Sequence, residues 1–99
     1  MSHKSIARAL AGAAYNWVIG GYENSILDGH INEMPPAIDL LDEVYSNIWN
    51  EPSATDGLEI RTGYTIEELR SIAKFAGRDY IKGEIAKLLE EDGYKESTV

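Results

Sequence analysis

The chain contains no cysteine, which excludes disulfide scaffolds, thiolate catalysis, iron–sulfur clusters and cysteine-bearing zinc sites. Three prolines and nine glycines in 99 residues are too few for a collagen-like or low-complexity chain. No run reaches the roughly 18 apolar residues of a membrane span. The alanine-rich start is interrupted by Arg8 and Asn16, so it lacks the apolar core of a signal peptide. Cytoplasm is therefore the expected location, with no membrane partner. The most informative absence concerns charge: between Ala9 and Ile60 there is no lysine or arginine.

That same stretch holds Glu23, Asp28, Glu33, Asp39, Asp42, Glu43, Glu51, Asp56 and Glu59, and the whole chain carries a net charge of -8. A field of one sign repels nucleic acid and anionic membranes and attracts cationic partners. Apolar residues make up 43% and charged residues 26%, ordinary values for a folded globular protein, so wholesale disorder is not expected. The length suits a single small domain, residues 1–99, with its own core.

Hydrophobic periodicity points to an all-α fold, a compact bundle of three to four helices with one long loop at about 51–64. Ile6, Leu10, Ala13 and Trp17 recur at helical spacing, widened by Ala14, Val18 and Ile19, and Ser2 or Ser5 can cap the helix. Tyr15, Ile19, Tyr22 and Ile26 carry the same period past Gly20-Gly21. That pair can kink the helix, end it, or admit another backbone closely; continuation to about Leu27 is expected, with Asp28-Gly29 as the stop. Pro35-Pro36 marks the start of a second helix reaching about Asn50. Its wheel groups Leu40, Leu41, Val44, Tyr45, Ile48 and Trp49 on one arc and sets Asp39, Asp42 and Glu43 opposite, facing solvent.

Residues 51–64 have loop composition, with Leu58 and Ile60 as an alternating pair that could pin the loop to the core. Thr65-Ile66-Glu67-Glu68 reads as a capping box. The helix that follows is expected to bury Ile66, Leu69, Ile72, Phe75 and Ala76 and to stop at Gly77. A last helix opens at Asp79, buries Ile81, Ile85, Leu88 and Leu89, and closes at Asp92-Gly93, with Tyr94 folding back and Glu96 to Val99 frayed.

Catalytic and ligand motifs fail on inspection. Placing Asp28-Gly29-His30-Ile31 in an EF-hand register puts Asn24 at position one, Ile26 at three and Pro35 at twelve, where a bidentate glutamate is required. His30 with Asp28 and Glu33 lacks the i, i+4 ligand pair of a helical metal site. Gly20-Gly21 lacks the rest of a phosphate cradle. Asp39 and Glu43 share a helical face, but a solvated one, which would not raise a carboxyl pKa for acid catalysis. No catalytic residue, metal site or cofactor is expected, and the protein is read as a non-enzyme.

The expected role is an acidic, inhibitor-type binding protein that engages a cationic protein surface, including one built to grip nucleic acid. Asp39, Asp42 and Glu43 would carry it, surrounded by Glu23, Asp28 and Glu33, with Tyr22 and Trp49 as aromatic contacts. Trp17 and Tyr45 are assigned to the core; Tyr15, Tyr22 and Trp49 stay open between core and interface. Two alternatives stand. Residues 65–89 could form a helix-turn-helix, with Ala73 and Gly77 at its tight turn and Arg70, Lys74, Arg78, Lys82 and Lys87 on phosphate, although Glu84, Glu90 and Glu91 oppose that charge. A homodimerising structural module is the other, resting on the alanine and glycine content of helix one.

Overall fold

The computed structural model describes residues 2–55 and 57–94 and is all-α, with no strand among them. Ser2, in extended conformation, accepts the Ser5 amide at 3.1 Å and opens helix α1, His3–Leu27, satisfying one of the free donors of the first turn. The helix runs unbroken through Gly20-Gly21. A Cβ at either glycine would meet no atom within 4 Å, so neither glycine serves close helix approach within the chain. The helix stops at Asp28, followed by Gly29 at φ 80, the left-handed turn that glycine adopts without a side-chain clash.

Helix α2, Ala37–Asn50, follows Pro36 as its N-cap residue. Helix α4, Ile66–Lys74, begins at the expected capping box: the Thr65 hydroxyl accepts the Glu68 amide at 3.2 Å, and the Glu68 carboxylate accepts the Thr65 amide at 3.0 Å. Helix α5, Arg78–Glu91, is entered through Gly77 at φ 90, ψ 151. Only glycine occupies that region readily, so the α4–α5 angle depends on this residue. Tyr94 folds back, its amide donating to the Leu89 carbonyl at 2.8 Å. Glu96 to Val99 lie outside the described residues.

The expected long loop is largely helical. A 3₁₀ turn, Pro52–Ala54, and a short helix α3, Gly57–Thr62, occupy it, making five α-helices in all among the described residues. Leu58 is buried and Ile60 is 89% exposed, because residues two apart lie on opposite sides of a helix. The Thr62 hydroxyl donates to the Leu58 carbonyl at 2.6 Å and closes this turn.

Helix α1 is the central element, packed against α2, α4 and α5. Ile6, Leu10, Ala14 and Val18 from α1 join Leu40, Val44 and Ile48 of α2, Leu69 and Ala73 of α4, and Ile81, Ile85 and Leu89 of α5 in one cluster. The face that α1 buries turns along its length. At about 100° per residue, the N-terminal half buries an arc from Ile6 to Ala11, whereas the C-terminal half buries one from Ala14 to Ile19. Trp17, assigned to the core from its spacing, falls outside the later arc and is 50% exposed. Phe75 is likewise a correction: it follows the last turn of α4 and is 80% exposed. No helix among the described residues is long and apolar enough to cross a membrane.

Candidate functional site

The eight sequence-derived candidates do not form one surface. On α2, Asp39 is exposed in the first turn, and no ion pair or hydrogen bond engages its side chain among the described residues. Asp42, with its side chain 65% exposed, accepts from Lys82 Nζ of α5 at 3.3 Å. Lys82 also lies 5.2 Å above the Tyr45 ring. Glu43 is half-buried and accepts the Tyr22 hydroxyl of α1 at 2.5 Å. The expected free row of three carboxylates is thus corrected to one free carboxylate, one paired with a cation and one held by a phenol. The reason is tertiary: α1 and α5 pack along the two flanks of α2, and each supplies a partner that the wheel of α2 alone could not show.

Tyr22 and Glu43 lie in an open groove between α1 and α2, about 280 Å³ in volume, whose remaining lining is Trp17, Val18, Gly21, Ser25 and Asn47. On the α1 wheel Trp17, Gly21, Ser25, Val18 and Tyr22 fall within one arc of roughly 140°. None of the lining side chains is cationic. The hydrogen bond to Glu43, then burial, then the charges of Glu43 and Asp39 push the Tyr22 hydroxyl up to about 12. A phenol surrounded by carboxylates keeps its proton because ionising it would add a third negative charge. Asp39 therefore acts electrostatically on the same groove.

The other candidates lie elsewhere. Glu23 is exposed on the opposite flank of α1, where its charge helps raise the Tyr94 hydroxyl, after burial as the larger cause. Tyr15, left open by the sequence, is core: it is buried, and its hydroxyl reaches the Asp92 carboxylate and, at 3.3 Å, the Leu88 carbonyl. Burial, followed by the Asp92 hydrogen bond, raises its pKa well above the usual tyrosine value. Asp28 caps the end of α1, and Glu33 is exposed in the connector to α2. Trp49 is partly buried, edge-to-face with Tyr45 at 5.8 Å, and lines a different groove with Arg70 and Lys74. Tyr45 itself is half-buried against the core. Asp56 lies outside the described residues.

Sequence reasoning missed Trp17 as a site residue. The signal was present in the neutral, small residues Gly21 and Ser25 that share its flank, since a side chain flanked by such residues has little to cover it. Among the described residues, no group of three or more histidine, aspartate or glutamate side chains is placed to hold a metal ion. Comparison of the chain with protein-family models, curated proteins and solved structures finds no match.

Proposed function

We propose that the protein is a non-enzymatic, acidic binding protein that engages a cationic protein surface through the α1–α2 groove, from a cytoplasmic location. One observation carries this reading: half-exposed Trp17 stands in the same groove as the Glu43 carboxylate, the charge of Asp39 reaches the groove's Tyr22, and no lysine or arginine among the described residues lines it. A guanidinium fits that arrangement. Its flat face stacks on an indole while its N–H fork meets a carboxylate, and an arginine used in this way no longer grips phosphate.

The alternative role for 65–89 in reading nucleic acid is less well supported. Lys82 is tied to Asp42, Lys87 lies 3.5 Å from Glu84, and Arg70 donates through Nε to the Ile48 carbonyl at 2.8 Å. Three of the five cations are thus engaged within the chain.

The test is titration with an arginine-rich peptide while Trp17 fluorescence is followed in a Trp49→Phe background. Binding should quench Trp17, weaken as salt rises, and fall about tenfold or more in Asp39→Lys, where a free carboxylate becomes a like charge. An unaltered Trp17 signal, or equal affinity for an acidic peptide, would remove the proposal.

A further inference from the structure

A second groove of about 400 Å³ lies between the last turns of α2 and helix α4, lined by Tyr45, Trp49, Arg70 and Lys74. The geometry points to a binding site for a small carboxylate carried on a flat, apolar body. Arg70 and Lys74 are one helical turn apart, and neither is paired with a carboxylate among the described residues, where the ion pairs are Arg8–Glu84, Lys82–Asp42 and Lys87–Glu84. In a chain with 17 acidic and nine basic residues, these two neighbouring cations make a locally positive wall.

Two buried donors in the same walls are also unmet: Trp49 Nε1 and Arg70 Nη2 have no acceptor and no solvent contact. Indole and guanidinium nitrogens only donate, so a cation cannot meet them, and of the acceptors that can, an anion also answers the charge of Arg70 and Lys74. Arg70 is held at its other edge by the Nε bond to Ile48 O, so its fork is fixed before a ligand arrives, the arrangement that favours a planar carboxylate. The Tyr45 and Trp49 rings supply apolar walls, and the volume is in the range of small-molecule sites, roughly 300–1,000 Å³. Since both donors are closed off from water, seating the carboxylate against the fixed Arg70 fork requires a rotamer shift of the partly exposed Trp49 side chain.

The experiment is a titration of the ¹⁵N-labelled chain with benzoate, observing the indole N–H signals of its two tryptophans, assigned with Trp17→Phe. The Trp49 signal should move saturably while that of Trp17 stays in place, and Lys74→Gln, an exposed position, should weaken the affinity about tenfold. Benzylamine should move neither signal, and inorganic phosphate should bind more weakly than benzoate. Arg70 is left intact because it also holds the end of α2. A Trp49 signal that stays fixed at millimolar benzoate, or that responds equally to benzylamine or to inorganic phosphate, would overturn the assignment.

Discussion

Helix α2 separates two grooves of opposite electrostatic character. Toward α1 it offers Glu43 beside an exposed indole, with the charge of Asp39 reaching Tyr22 and no cation among the lining residues; toward α4 it offers two aromatic rings faced by Arg70 and Lys74. The contrast is instructive because both lie on one protein of net charge -8. Net charge describes the far field that steers encounter, whereas recognition depends on which side chains share a concavity. Pairing decides the rest: Asp42, between Asp39 and Glu43 in sequence, is drawn to Lys82 and leaves Asp39 as the free carboxylate of its row.

The largest expected effect comes from removing the support common to both grooves. Leu40 of α2 is fully buried, and Leu40→Ala should cost about 2–5 kcal/mol of stability through lost burial and the cavity left behind, read from urea denaturation. Both titrations described above should weaken together in that variant; survival of one groove's binding would show that α2 is not their shared wall.

A smaller effect isolates the acidic groove. The unfolded Tyr22 phenol loses its proton near pH 10, while in the fold it keeps it to about 12. A folded pKa raised above the unfolded one gives stability that is whole below pH 10 and is lost as pH rises toward 12. Tyr22→Phe should therefore lose less stability than the parent chain over that window, measured by chemical denaturation at each pH. Identical slopes would disprove the Tyr22–Glu43 coupling.

The smallest effect concerns the boundary between the regions. A double-mutant cycle on Asp42 and Lys82, an exposed pair, should give about 0.2–1 kcal/mol, shrinking as salt rises. A coupling of zero at low salt would return Asp42 to the free acidic row and extend the α1–α2 site.

Local signals were legible where their partners are local. The Thr65–Glu68 box closes on itself within three residues, and the start of α1 at Ser2 needs only the Ser5 amide. The path of α1 through Gly20-Gly21 was read correctly from the Tyr15–Ile26 period, because each interior glycine weakens a helix by at most about 1 kcal/mol. Phe75 was within reach: at about 100° per residue it falls roughly 140° from the middle of the Leu69–Ala73 face, so its wheel position already argued for exposure. The helix at 57–62 was not, since a six-residue segment bounded by glycines carries too little periodicity to separate a turn of helix from an extended piece. Of the candidate site, Tyr22 and the α2 carboxylates were named from the sequence, but their joining, and the place of Trp17 beside them, depended on α1 and α2 crossing.

The sequence by itself determined that the chain is helical, where most helices begin and end, and that one stretch of it carries carboxylates without cations. Those properties follow from spacing, caps and composition, which act over a few residues. Only the tertiary structure decided which carboxylates stay free, which aromatic rings are covered, and that Arg70 and Lys74 of α4 stand beside Trp49 of α2. Each of these depends on side chains more than twenty residues apart meeting across a helix crossing, a distance over which periodicity carries no information.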